Sequence, residues 1–222
     1  MVQLLLASQS PRRRALLTLA GYPFAVTAAD VDEESVTAPD PAQNALWTAL
    51  LKADWFLQQG KQSAEQTFMI TADTTVALEE RLLGKPSDGH EATAMLRTLR
   101  GRTHQVHTAV ALVNLRSGEL ITGIHSAAVT MRSYGEKEIR RYVESGDPLD
   151  KAGAYAIQHA EFAPVRELSG CYLGVVGLSV CHLLQLFSVR GLQPKIDLAA
   201  LHLAHNGYRC PLLDNAARKL GK

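Results

Sequence analysis

Cysteine is scarce in this 222-residue chain: Cys171, Cys181 and Cys210 are its whole complement. Three cannot build a disulfide framework, and no C-x-x-C spacing occurs, so they read as buried or surface thiols in a reducing, cytoplasmic compartment. Excess charge is missing too. Twenty-three Lys and Arg offset 22 Asp and Glu. No global field draws the chain to nucleic acid or a membrane, and an anion site must be built locally. Long apolar runs are absent. Leu4-Leu5-Leu6 is too short for a signal-peptide core, and its arginines follow the run instead of preceding it. Cys171 to Phe187 carries no formal charge, but Gly174, Gly177, His182 and Gln185 interrupt it. A spanning helix wants roughly 20 apolar residues, so this stretch reads as a buried strand, a turn and a buried helix. Zinc-site spacing is also lacking. His104 and His107 would face opposite sides of a strand. His202 and His205 could share a helix face, but no cysteine or carboxylate stands at a matching interval. Structural zinc is not expected.

What is present is an ordinary globular composition, 46% hydrophobic and 20% charged, with strands and helices in alternation. Val2 to Ala7 has strand length. Ser10 before Pro11 predicts a capped helix start, and that helix stops at Gly21. Phe24 to Thr27 reads as a strand, Asp30 to Pro41 as an acidic loop, Ala42 to Gln59 as a helix, and Gly60 to Gln66 as a polar connector. Thr67 to Leu78 is β-rich and turns at Glu79-Glu80-Arg81. Pro86-Ser87-Asp88 opens another helix. His104 to Leu115 and Leu120 to Met131 form a long hairpin, Gly135 to Ser145 a helix, Asp147 to Gln158 a Gly-rich loop, and Glu161 to Leu168 a strand. The class is α/β with a mixed sheet. Residues 1–190 read as one domain and 191–222 as an extension carrying a weak helix from Ile196 to His205.

Four constellations carry chemistry. Ser8-Gln9-Ser10-Pro11-Arg12-Arg13 joins a strand to a helix start. Free N–H groups and forked guanidinium donors there suit phosphate, while arginines in a first turn oppose the helix dipole unless an anion is bound. The bland alternative is a solvated basic helix start. Asp73 emerges at the end of an apolar strand, as a metal ligand, a general base or a hydrogen-bonded structural acid. Lys85, in Gly84-Lys85-Pro86, is held at a tight junction, as a surface lysine or a phosphate contact. Gly146 to Gln158 is rich in small residues, and the Gln158 amide can donate and accept together, as a base edge requires; it also reads as a plain structural loop. Glu33 lies in an acidic loop. Were it to meet Asp73, the two carboxylates would suit a hard cation.

Taken as an ordered set, these segments resemble the Maf family of nucleotide pyrophosphatases. The matching stretches are Leu4 to Arg13, Val31-Asp32-Glu33, Ala72-Asp73-Thr74, Gly84-Lys85-Pro86, Gly101-Arg102-Thr103-His104, Asp150 to Tyr155 and Val176-Gly177-Leu178. The resemblance implies a Maf/Ham1-like (ITPase-like) fold, a mixed β-sheet with flanking helices and two lobes around a cleft, usually a homodimer. It implies water attacking the α-phosphorus of a nucleoside triphosphate, assisted by Mg²⁺ or Mn²⁺. Asp73 matches the catalytic proton acceptor. Arg13, Thr74 and Gln158 match positions that distinguish the dTTP and UTP branch from a 7-methyl-GTP branch. Ser8, Arg12, Arg13, Lys52 and Lys85 would then cradle phosphates, and Asp73 with Glu33 would hold the metal. Departures are visible. Trp47-Thr48-Ala49 stands where Arg-Leu-Ala is common, Ala156 stands where glycine is usual, and the chain beyond Gly191 exceeds the family's normal end. They leave room for another nucleotide or for a catalytically silent, nucleotide-binding relative.

Overall fold

A computed structural model describes residues 2–60 and 67–214 of the chain. The connector read at 61–66 and the end of the extension, 215–222, lie outside them. Seven strands make one mixed sheet: β1 (Gln3–Ala7), β2 (Phe24–Thr27), β3 (Thr67–Leu78), β4 (Arg81–Leu83), β5 (Thr103–Asn114), β6 (Leu120–Met131) and β7 (Val165–Ser169). The order is β2-β1-β3-β5-β6-β7, with β4 on β3. β1 runs parallel to β2 and β3, and all other pairings are antiparallel. The helices are α1 (Pro11–Leu17), α2 (Pro41–Gln58), α3 (Gly89–Leu99), α4 (Glu136–Glu144), α5 (Tyr172–Val176), α6 (Val180–Val189) and α7 (Leu198–Ala204).

One feature of the pairing prepares the site. β1 pairs only with Thr67 to Ile70 of β3, and β4 only with Val76 to Leu78. Thr71 to Thr75 is therefore bonded to β5 on one side and faces a notch in the sheet on the other. Asp73 sits in the middle of this stretch. It lies in mid-strand, paired with Ala109, and not at a strand end as the apolar run suggested. The run looked finished at Asp73 because the polar Asp73-Thr74-Thr75 interrupts it, but β3 continues to Leu78.

Strand alternation divides the two faces of the notch. Thr71 donates to the Ala49 carbonyl and Thr75 to the Pro41 carbonyl, which ties the odd-numbered face to α2. Thr74 faces α5. The main core lies on that second side, between the sheet and α1, α3, α5 and α6, and includes Leu6, Ile70, Leu96, Val110, Met131 and Phe187.

Helix starts follow the sequence closely. Ser10, Asp40 and Asp88 cap α1, α2 and α3 with their side-chain oxygens, each satisfying an N–H that would otherwise lack a partner. Two readings change. Tyr172 to Val176 is helical, not a strand; an apolar run this short has no period by which to tell the two apart. The strand before it is confined to Val165–Ser169, because Ala160 to Phe162 is occupied by turns.

The extension packs on the body. Leu201, Cys210 and Leu213 belong to the main core, and Tyr208 stacks on Tyr172 at 5.3 Å between ring centres. Its linker passes Gly21 so closely that a Cβ there would collide with the Lys195 carbonyl. Folding brings Cys171, Cys181 and Cys210 around His205, although no spacing in the sequence relates them.

Candidate active site

α1 begins where β1 ends, beside the notch. The Ser10 hydroxyl accepts the Arg13 N–H at 3.3 Å, and the buried Ser8 hydroxyl accepts the Ser10 N–H at 3.2 Å. This fixes the chain's turn and aims Arg13 inward. Its Nε donates to the Gly177 carbonyl at the end of α5 (2.9 Å), and one terminal nitrogen reaches Thr74 Oγ1 (3.4 Å). That nitrogen also lies 3.8 Å from Asp73 Oδ1. Arg13 thus spans both faces of β3 across the notch. Thr74 Oγ1 is completed by Thr108 Oγ1 at 3.1 Å, and Thr108 donates to the Gly174 carbonyl. Thr108 carries no motif and was not singled out in the sequence; it stands just before the apolar half of β5, Ala109 to Val113.

From the opposite face, α2 presents Lys52, only 5% exposed. Its ammonium lies 3.0 Å from Asp73 Oδ1 and 2.8 Å from Glu33 Oε2, and donates to the Ala72 carbonyl at 3.4 Å. Glu33, half-exposed, comes from the acidic loop. That loop is tied down by Asn44 of α2, whose amide donates to the Val36 carbonyl. Two carboxylates and two cations therefore meet at the notch, in a partly buried place where a charge needs a partner.

The remaining residues form a rim. Arg12 pairs with Asp150 at 2.9 Å. Lys151 bridges Asp147 and Asp150. Partial burial alone would raise the Asp150 carboxyl, but hydrogen bonds from Lys151 and Arg12 outweigh it and hold it below the ordinary carboxylate range. Lys85 and Gln158 are exposed. The Lys85 corner is joined to the Gly-rich loop through Gly153 N–H, which donates to the Gly84 carbonyl at 3.0 Å. Gly153 has φ +70°, a region that disfavours side chains. Deeper in the same loop, Tyr155 meets His104 at 2.7 Å, and Ala156 N–H donates to the Tyr142 hydroxyl. Burial lowers the His104 imidazole to about 4, so it is neutral at ordinary pH.

The structure thus brings Asp73, Glu33, Lys52, Arg13 and Thr74 into one cluster, with Ser8 beneath it. Arg12, Lys85 and Gln158 stand on the surrounding loops. The departures noted in the sequence fall outside the cluster. Trp47 is 43% exposed and lines a shallow groove with Val36, Leu50 and Asp54, on the face of α2 turned from Lys52. Ala156 has ordinary backbone angles and is buried.

A family model described as "Maf-like protein" matches residues 3–189. A protein of Dehalococcoides mccartyi named dTTP/UTP pyrophosphatase is 39% identical over 194 residues, covering 87% of this chain and 85% of that one. One of the same name from Bacillus pumilus is 40% identical over 194 residues, covering 87% and 100%. Another, from Pelotomaculum thermopropionicum, is 42% identical over 183 residues, covering 82% and 94%. A solved nucleoside-triphosphatase / dITP/XTP pyrophosphatase from Mycobacterium abscessus overlaps 58% of this chain and 72% of its own, at 16% identity and a TM-score of 0.34. With a family match running from the first strand to the end of α6, and relatives near two-fifths identity over most of its length, this chain belongs to the Maf-like protein family.

Proposed function

We propose that this protein hydrolyses nucleoside triphosphates, dTTP and UTP foremost, to the monophosphate and pyrophosphate. The observation that carries the reading is the placement of Asp73: a carboxylate in a gap of the sheet, gripped on one oxygen by Lys52 and approached by Arg13. The names of the relatives supply the substrate class.

In this reading water forms a bond to the α-phosphorus while the bond to the bridging oxygen breaks, and pyrophosphate leaves with that electron pair. Asp73 takes the water's proton. Its Oδ1 is engaged by the two cations, which leaves Oδ2 for the proton. Lys52 holds the carboxylate in place. Arg13, with its planar fork, meets charge developing on the α-phosphoryl oxygens. Arg12 and Lys85 bind the β- and γ-phosphates; Arg12 exchanges Asp150 for them, a swap of one anion for another. Gln158 reads the pyrimidine edge with its amide.

The donor set fits a hard divalent cation. Asp73 and Glu33 already converge on one positive group, the Lys52 ammonium, and oxygen ligands of this kind suit Mg²⁺ or Mn²⁺. Such an ion, when bound, supplies charge neutralisation on the phosphate chain. We place the protein in the cytoplasm, where its thiols stay reduced and nucleotides are abundant, and as a homodimer by family resemblance. Among the described residues no helix is long and apolar enough to cross a membrane.

The test is a panel of nucleoside triphosphates, 7-methyl-GTP included, with and without Mg²⁺ or Mn²⁺, read by pyrophosphate release. Preference for dTTP and UTP supports the reading. Preference for a purine overturns the pyrimidine assignment, and absence of metal-dependent turnover with every nucleotide overturns the activity.

A further inference from the structure

The four groups gathered beneath α5 make a second site, unrelated to phosphate chemistry. Cys171 stands at the start of α5, Cys181 in the first turn of α6, His205 at the end of α7, and Cys210 just beyond. All four are buried, none more than 3% exposed. Their donor atoms, three Sγ and His205 Nε2, all lie within 4.8 Å of one another. Cys171 Sγ is 3.7 Å and Cys181 Sγ 3.5 Å from His205 Nε2. A tetrahedral zinc with Zn–S about 2.3 Å and Zn–N about 2.0 Å sets its sulfurs about 3.8 Å apart and its sulfur and nitrogen about 3.5 Å apart. The observed spacings match the second figure, and the widest needs a contraction of about 1 Å.

The orientation of the imidazole is an independent observation. His205 Nδ1 lies 2.7 Å from the Leu201 carbonyl, one turn back on α7. That oxygen can only accept, so the proton sits on Nδ1 and the lone pair of Nε2 faces the three sulfurs. This is the outer partner that zinc-bound histidines ordinarily have. Packing alone would favour an apolar side chain here over an imidazole with its bare nitrogen turned toward thiols.

We infer that Cys171, Cys181, His205 and Cys210 form a closed structural site for a soft divalent cation, zinc. The ligand set is of the Cys₃His type, tetrahedral, with no position left for water. Binding releases the three thiol protons to solvent, and the metal is neither oxidised nor reduced. Two ligands come from the body and two from the segment beyond Gly191, so the ion pins that segment to the domain. The same pin anchors α5, whose Gly174 and Gly177 carbonyls hold Thr108 and Arg13.

The test uses the full chain, purified under reducing conditions without chelator. Elemental analysis after extensive dialysis against EDTA is expected to show about one zinc per chain, while any cation at Asp73 is lost. Cobalt loaded in its place is expected to give a thiolate-to-cobalt charge-transfer band and the visible bands of a tetrahedral ion. Cys210→Ser and His205→Ala, compared separately, are expected to lose the tight zinc and lower the melting temperature. A wild-type protein with neither zinc nor the cobalt spectrum overturns the inference, as does zinc retained in full by both variants. A mass two hydrogens low, marking a disulfide among the cysteines of the reduced preparation, overturns it as well.

Discussion

Asp73 has two carboxylate oxygens, and the fold engages Oδ1 with both Lys52 and Arg13. Asp73→Asn keeps the shape and removes the base. It is expected to lower kcat by about 10²- to 10⁴-fold, with KM within a few-fold and the melting temperature nearly unchanged, measured by pyrophosphate release and thermal unfolding. Lys52 is a different case, because it is buried and neutralises two carboxylates. Lys52→Met leaves Asp73 partly buried without its nearest cation. A fully buried pair broken this way costs about 3–5 kcal/mol; Glu33 is half-exposed and can rehydrate, so about 2 kcal/mol is expected, read from the midpoint of urea unfolding, together with a loss of turnover. A change confined to turnover would show that Lys52 serves only the chemistry.

At the scale of elements, the Gly-rich loop after α4 is positioned by single contacts. Gly153 has left-handed angles, and a Cβ there would meet Val76 Cγ1 at 3.0 Å. Gly153→Ala is expected to cost about 1–2 kcal/mol through backbone strain and to raise KM for the triphosphate more than it lowers kcat, since it displaces the loop bearing Asp150 and Gln158. An unchanged KM would detach that loop from substrate binding. On the facing strand, His104 of β5 is buried against Tyr155, and burial depresses its imidazole to about 4. The unfolded chain takes up a proton near pH 6.5 that the folded one refuses. The stability is therefore whole above about pH 6.5 and falls by about 1.4 kcal/mol per unit as pH drops toward 4, about 3 kcal/mol in total. Chemical unfolding between pH 7 and 4 should show this slope in the wild type, reduced by one proton's worth in His104→Gln. Equal slopes would mean that other groups govern acid stability.

These elements also show which features were legible in the residues. Capping chemistry is local, so Ser10 marked the start of α1; α2 begins at Pro41, one residue before the reading, and α3 at Gly89, directly after the Pro86-Ser87-Asp88 opening. The long hairpin was legible as two strand-length segments, His104 to Leu115 and Leu120 to Met131, close to the observed β5 and β6. Asp73 was singled out as a candidate, and the resemblance named Glu33, Lys52, Arg13 and Thr74 with it, but the notch was not legible, because it exists only where β1 ends short of β4, a matter of sheet pairing. The pairing of Lys52 with both Asp73 and Glu33 likewise joins three segments that no sequence interval relates. Cys171 to Val176 was misread because five apolar residues fit strand and helix equally.

For the molecule as a whole, the parallel β1 and β2 and the antiparallel remainder of the sheet meet at β3, and the Asp73 cluster lies at that junction. Both faces of β3 contribute: α2 supplies Lys52 from one, while α1 and α5 supply Arg13 and its carbonyl anchor from the other. The extension, packed into the same core, supports α5 from beneath. In the proposed reaction water attacks the α-phosphorus beside Asp73. The most direct measurement is hydrolysis of dTTP in heavy-oxygen water by the full chain, with mass spectrometry of both products. The label is expected in the monophosphate and absent from pyrophosphate, with Asp73→Asn slowing its appearance by about 100-fold or more. Label in the pyrophosphate, or an undiminished rate in Asp73→Asn, would contradict it.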